Sequence, residues 1–247
     1  MNVFAEAFAW IFAPEQWTGP SSIPVAVLVH LAYTFAAMLI AALIAIPAGW
    51  LIGHTGRGRE LAVGISGAAR AIPSFGLILL LVLLFGVLNK PEAALTAFVL
   101  LAIPSILAGA YTGFEAIDRR IIDAARATGM TPWQVLWRVE VPLGLPLLVG
   151  GLRSATLQVV ATVTLAAYVN LGGLGQYIFR GLDLRRYDEI LGGAILVAAL
   201  ALVLDGVFAL LQRASVPRGI RVGQSDRLRA PKRTPAVAPA PVPAASR

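Results

Sequence analysis

Few residues in this chain are of the types that perform chemistry. It has no cysteine, so neither a disulfide framework nor a thiolate metal site is available. His30 and His54 are too few for a metal cluster. The lysines are Lys90 and Lys232, and neither follows a glycine loop. No Gly-x-x-x-x-Gly-Lys-Ser/Thr segment exists to cradle phosphates, so the chain is read as a non-enzyme. Gly172-Gly173-Leu174-Gly175 follows an apolar run and leads into a charged segment, which makes it a flexible turn or a closing element rather than a dinucleotide fingerprint. What remains are ionisable side chains inside apolar stretches, each expensive in lipid: Arg70, Arg153 and Asp205. Arg70, beside Pro73, is expected either to pair with a carboxylate or backbone carbonyls or to line a polar path. Arg153 is expected to snorkel toward the near end of its span, and Asp205 to serve helix packing rather than proton coupling.

These residues sit in a chain built for lipid. Of 247 residues, 58% are apolar and 13% charged, with mean hydropathy +0.79, well beyond a soluble domain. A bilayer core of about 30 Å takes roughly 20 apolar helical residues, and five runs qualify: 25–52, 61–88, 93–111, 143–165 and 190–211. The second holds Ile72-Pro73-Ser74, where proline removes a donor and bars its predecessor from helix, so this run is expected to break. Lipid tolerates such a break only where protein or a water-filled cavity satisfies the freed groups. The fold class is therefore an all-α membrane protein with five to six transmembrane helices. Residues 1–24 carry no Lys or Arg and no small-residue cleavage site, so the segment is expected to be retained and external.

Five passes with an outside N-terminus put Arg57 and Arg59 in the first inside loop, and Arg119, Arg120, Arg126 and Arg138 in the second. The basic tail 217–247 is also inside, with Lys90, Arg180, Arg185 and Arg186 outside. The net charge of +7 is thus topology rather than a nucleic-acid surface. The tail, Arg-rich and then Pro/Ala-rich, has little to bury and is expected to be disordered.

The second inside loop, 113–141, is patterned. Asp118 can cap a helix running through Ile121, Ile122 and Ala125 and ending at Gly129. Thr131, Pro132 and Gln134 form a second start signal: a capping hydroxyl, proline at the first helical position, glutamine three residues after the cap. Trp133 and Trp137 lie on that second helix, and Pro142 opens the next span. A short amphipathic pair of this kind can lie on a membrane or dock in a partner's groove.

Asp123-Ala124-Ala125, three residues, Gly129, nine residues, then Val139-Glu140-Val141-Pro142 resembles the EAA loop of binding-protein-dependent ABC transporter permeases. Asp123 stands where that family has Glu, and Val139 and Val141 where it has Ile and Leu. Arg70-Ala71-Ile72-Pro73-Ser74-Phe75-Gly76 resembles the Ile-Pro-Ser segment of permeases for glycine betaine, choline and related osmoprotectants. Asn170 to Gly175 with Ile178 to Leu182 resembles their external Gly-Gly-Leu-Gly segment, which methionine importers share. The likeness runs from Leu31 to Gly219.

The resemblance implies a type I ABC importer permease fold in the bacterial inner membrane. It implies a domain 25–216 that dimerises with itself or a paralogue, an extracytoplasmic substrate-binding protein, and two ATP-binding subunits held by loop 113–141. ATP and Mg would then sit on those subunits, with no cofactor on this chain. Asp123, Ala124, Ala125, Gly129, Val139 and Pro142 would couple to the ATPase, while Arg70, Pro73, Ser74, Gly172, Gly173 and Gly175 would form the pathway or gate. The implied cargo is a small osmoprotectant such as a quaternary amine. Alternatives are methionine or another amino acid, and an ion-coupled secondary transporter. Quaternary amines favour aromatic cages. With Trp50, Phe75, Phe85 and Tyr168 scattered along the sequence, the selective site is expected on the binding protein.

Overall fold

In the computed structural model residues 2–217 are described, apart from the side chains of Ala69 and Arg70. The tail expected to be disordered lies, beyond Pro217, outside the described residues. Among the described residues the regular structure is helical throughout.

Helix α1 (Val3–Phe12) has ten residues, about 15 Å at 1.5 Å per residue, too short to cross a bilayer alone. Helix α2 (Ile23–Thr55) is long enough to cross with tilt. It starts with Pro24 in its first turn and ends at Gly56, whose φ of +68° suits glycine and whose N–H reaches the Ile52 carbonyl at 2.8 Å. The second apolar run is split as expected, into α3 (Arg59–Ala71) and α4 (Ser74–Phe85) with Pro73 extended between them. Helices α5 (Lys90–Glu115), α8 (Val141–Ala166) and α10 (Tyr187–Ser215) supply the remaining full-length passes.

Helix α5 is the hub. Of its most apolar stretch 72% is buried, against 6% for α10, whose Leu202, Val203, Leu210 and Leu211 face outward toward lipid or another subunit. Lipid is as apolar as leucine, so helices in it are held by close backbone approach at small residues. A Cβ on Gly109 would come within 2.8 Å of Gly151 Cα, and one on Gly113 within 2.7 Å of the Gly144 carbonyl oxygen. Gly113 is thus helix core on α5, which runs to Glu115, rather than the start of a loop.

The bundle has two distinct ends. At the loop end, α5 leads to α6 (Arg119–Ala127), then α7 (Pro132–Val135), then a π-helical segment Leu136–Glu140 that runs unbroken into α8. The second loop helix is therefore not separate from the fourth span. Pro142 cannot donate to an α-ladder, and the wider i→i+5 turns upstream, with the Val141 N–H on the Leu136 carbonyl, carry the chain past it. At the opposite, glycine-rich end, α8 passes through a short turn to Asn170 and residues 171–174, then α9 (Gly175–Leu184) and the start of α10.

The ion pair between two spans, with both side chains half-buried, differs from expectation. Arg153 does not snorkel: its Nε and one terminal nitrogen donate to both oxygens of Asp205 at 2.5 and 2.6 Å, tying α8 to α10. Asp205 is thus engaged in a contact between helices.

Candidate functional site

At the loop end the local signals are realised in detail. Asp118 Oδ1 accepts the Arg120 N–H at 2.9 Å and starts α6. The helix ends where Gly129, at φ +85°, donates its N–H to the Arg126 carbonyl at 2.9 Å and Met130 donates to the Ala125 carbonyl at 3.3 Å. Thr131 and Gln134 form the full capping box: the Gln134 N–H reaches Thr131 Oγ1 at 3.3 Å, and Gln134 Oε1 accepts the Thr131 N–H at 2.9 Å.

These caps hold a surface outward. Asp123, Ala124 and Gly129 are exposed, Ala125 is buried, and Val139 and Pro142 are half-buried. Of the Ile121, Ile122 and Ala125 series, Ala125 is buried and Ile121 is 46% exposed. Trp133 is also exposed. It begins an aromatic series running inward: Trp133 and Trp137 are edge to face at 5.6 Å, Trp137 meets Trp50 of α2 at 5.6 Å, and Trp50 stacks on Phe114 of α5 at 6.2 Å. Beside it the buried Glu140 accepts a 2.5 Å hydrogen bond from His54 Nδ1, and Arg59 pairs with Glu115 at 3.0 Å. The Leu136–Glu140 segment is thus fastened to α2 through Trp137 and Glu140, while Asp123, Ala124 and Gly129 stay exposed on the loop helices. Sequence reasoning missed His54 and Glu140. They lie 86 positions apart, with no periodic signal linking them.

The glycine-rich end is assembled from distant segments. His30 of α2 is fully buried; its Nε2–H donates to the Val160 carbonyl at 3.1 Å, and its Nδ1 accepts the Leu174 N–H at 3.3 Å. That pair of partners fixes the neutral tautomer. His30 pins residues 170–175 between α2 and α8. Gly172 and Gly173 both have φ of +74°, and Asn170 has +65°. A Cβ on Gly175 would run into the Thr164 carbonyl oxygen, so only glycine lets α9 start there. Leu174 and Tyr177 are fully buried, and the Tyr177 hydroxyl donates to the Ser21 carbonyl at 2.8 Å. Trp10 of α1 packs edge to face on Tyr177 at 5.1 Å. The carboxylate of Glu189, wholly buried, is held by Arg180 and lies 3.4 Å from Arg186.

The break at Pro73 and the glycine segment are brought together through aromatic rings. Phe75 meets Tyr168 at 5.2 Å, and Tyr168 meets Phe179 at 5.6 Å. Of the rings expected to be scattered, Trp50 belongs to a group at the loop end and Phe75 and Tyr168 to one at the glycine-rich end, while Phe85 stays exposed. Tyr168 and Phe179 line a cavity of about 520 Å³ with Asn170, Gln176, Arg180 and Asp183. Pro73 is exposed and Ser74 half-buried. The Arg70 side chain lies outside the described residues. The residues expected to couple and the residues expected to gate thus lie at opposite ends of the spans.

Residues 45–221 match the family described as the binding-protein-dependent transport system inner membrane component. The chain is 31% identical over 192 residues to a glycine betaine/carnitine/choline transport system permease protein of Bacillus subtilis, a match covering 78% of this chain and 88% of that one. It is 33% identical over 198 residues to the osmoprotectant import permease protein of Salmonella typhimurium, covering 78% and 91%. Among solved structures, a chain of the inward-facing MetNI methionine ABC transporter superposes with TM-score 0.68 at 23% identity, covering 79% of this chain and 96% of that chain, which establishes the shared fold. On this fold, and on a family match that spans the loop 113–141, the Pro73 break and the glycine segment 170–175, the chain belongs to the binding-protein-dependent ABC transporter permeases, multi-pass components of the inner membrane.

Proposed function

We propose that this chain is the path by which a small osmoprotectant, glycine betaine, choline or another quaternary amine, enters the cell, powered by ATP hydrolysed on separate subunits. The observation that carries the cargo is the naming of relatives more than 30% identical over 78% of the chain, which are permeases for glycine betaine, carnitine, choline and osmoprotectants. In this reading the loop end faces the cytoplasm, in keeping with its arginines. Two ATP-binding subunits dock on α6 and α7 across Asp123, Ala124, Ala125 and Gly129, while Val139 and Pro142 lie where the docked helix becomes the span. The continuous π-to-α run from Leu136 into α8 supports this, because displacement of the loop is passed to the span without a hinge. The glycine-rich end, with Pro73, Ser74, Gly172, Gly173 and Gly175, forms the outer gate, meets the binding protein, and faces a second copy or a paralogue. ATP and Mg belong to the partner subunits.

An ion-coupled secondary transporter is disfavoured by Asp205. Among the described residues, the one acid in the middle of a span is engaged by Arg153 through both oxygens, rather than free to carry protons.

The test is uptake of radiolabelled glycine betaine and choline by cells carrying or lacking the gene, with an active or an ATPase-dead partner. Uptake that needs both proteins is expected. ATP-independent uptake would sink the coupling assignment. Absence of uptake, with the protein present in the membrane, would remove the cargo.

A further inference from the structure

Tyr168, Phe179 and Asp183 share one cavity at the glycine-rich end, and their chemistry is that of a cation site. Gln176, Phe179, Arg180 and Asp183 all lie along one face of α9 and line the cavity, and Ala167, Tyr168 and Asn170 close it from the end of α8. The rings of Tyr168 and Phe179 are inclined at 64° with centroids 5.6 Å apart, so they form a corner. Phe75 backs Tyr168 from outside the cavity at 5.2 Å. The volume of about 520 Å³ falls in the range of small-molecule sites, roughly 300–1,000 Å³.

The charges in the cavity are not balanced. Arg180 lines it, but its guanidinium is bound to the buried carboxylate of Glu189 and lies 5.6 Å from the centre of the Tyr177 ring. Asp183, one turn on, is exposed and has no ion-pair partner among the described residues. The remaining polar groups, the amides of Asn170 and Gln176, are neutral. A cavity with two aromatic rings and one uncompensated carboxylate suits a cation. A quaternary ammonium has no N–H to donate, so ring faces and diffuse negative charge are what can recognise it.

We propose that this cavity is a cation–π site on the permease itself, holding the quaternary ammonium group of the cargo between Tyr168, Phe179 and Asp183 as it passes the outer gate. The proposal rests on the permease reading above and deepens it by giving this chain a share in selectivity. The site lies beside both gate elements. Asn170 opens the glycine segment, and Phe75 follows the Pro73 break, so a shift of either would reshape the corner.

The test is equilibrium dialysis of radiolabelled choline against the full chain in lipid nanodiscs, competed with unlabelled choline or with 3,3-dimethylbutan-1-ol, its uncharged isostere. Choline is expected to bind on the order of tenfold more tightly than the isostere, and Y168L/F179L to weaken choline roughly tenfold. Y168F, which keeps the ring, recovers binding relative to Y168L. D183N, at an exposed and unpaired position, weakens choline severalfold and serves as the decisive variant if the double substitution does not fold. Equal binding of the isostere, or unchanged binding in folded Y168L/F179L and D183N, overturns the site. Uptake in cells, measured in parallel, separates the two readings. ATPase-dependent uptake that persists in variants with unchanged binding rejects the cavity and leaves the permease cargo standing. Ring-dependent choline binding by a chain that supports no quaternary-amine uptake keeps the cavity and rejects the cargo reading.

Discussion

The two ends of the bundle are built by opposite strategies. At the loop end, α6 and α7 are specified by side chains that bond within a few residues of themselves, as in Asp118 to Arg120 and Thr131 to Gln134. At the glycine-rich end the defining contacts join residues 130 to 156 positions apart: His30 to Val160, His30 to Leu174 and Tyr177 to Ser21. Local caps let a short element keep its shape with one face uncovered, the requirement for a surface that engages another protein. Long-range buried contacts need the whole bundle and give a closed structure in return. The difference is also visible in the glycines. At Gly129 a Cβ would meet nothing within 4 Å, whereas at Gly175 it would meet backbone.

The largest expected effect breaks that contrast most directly. Gly175→Val should abolish the folded state, because Thr164's carbonyl oxygen occupies the space and backbone cannot step aside. The readout is the yield of monodisperse protein in detergent. Gly129→Ala meets only the left-handed φ penalty, about 1–2 kcal/mol. It should therefore yield folded protein whose ATP-dependent uptake is reduced. If both variants fold equally well, the glycine-rich end is more plastic than its contacts imply.

Next in size is the pair between α8 and α10. Arg153→Ala and Asp205→Ala should each lower the thermal unfolding temperature, because the survivor is left as an unpaired charge within an apolar span. The double variant should recover part of the loss. Melting in nanodiscs across all four proteins gives the coupling directly. Strictly additive losses would mean that the two residues act separately.

What could be read from sequence follows the same division. The Pro73 break, the Asp118 cap, the Gly129 stop and the Thr131 capping box were legible because each is local, and the structure realises all four. The spans were legible because hydropathy is a property of a run rather than of a fold. Arg153 and Asp205 were visible as anomalies, but their pairing was not, since it depends on which helices cross. His30, Glu140 and Glu189 gave no signal, and each matters through a partner brought close by tertiary structure. The grouping of Phe75, Tyr168 and Phe179 was hidden for the same reason. Rings on separate elements look scattered until α4 and α9 are laid against the end of α8.

A smaller effect concerns the fastening between the loop and α2. Glu140→Gln keeps the size of the side chain but removes its charge opposite His54. It should leave the amount of protein in the membrane near normal while lowering uptake severalfold, if this contact holds the loop in register with α2. Loss of the protein from the membrane would instead make Glu140 a requirement for folding, and the loop end would then resemble the glycine-rich one.

The smallest effect sharpens the idea that the loop end is locally encoded. Thr131→Ala removes the side chain that accepts the Gln134 N–H and leaves Gln134 with only its return bond to backbone. Loss of an N-cap hydroxyl costs about 1 kcal/mol. Val135, fully buried, still anchors the far end of α7, so the penalty should stay within the first turn. Hydrogen exchange at Gln134 and Val135 should quicken about fivefold, which is what 1 kcal/mol yields at 25 °C if those amides exchange by local opening. Amides of Leu174 and Tyr177 at the other end should not change. Quickened exchange at both ends would mean that the caps also stabilise the bundle as a whole, and that the two ends are less independent than their contacts suggest.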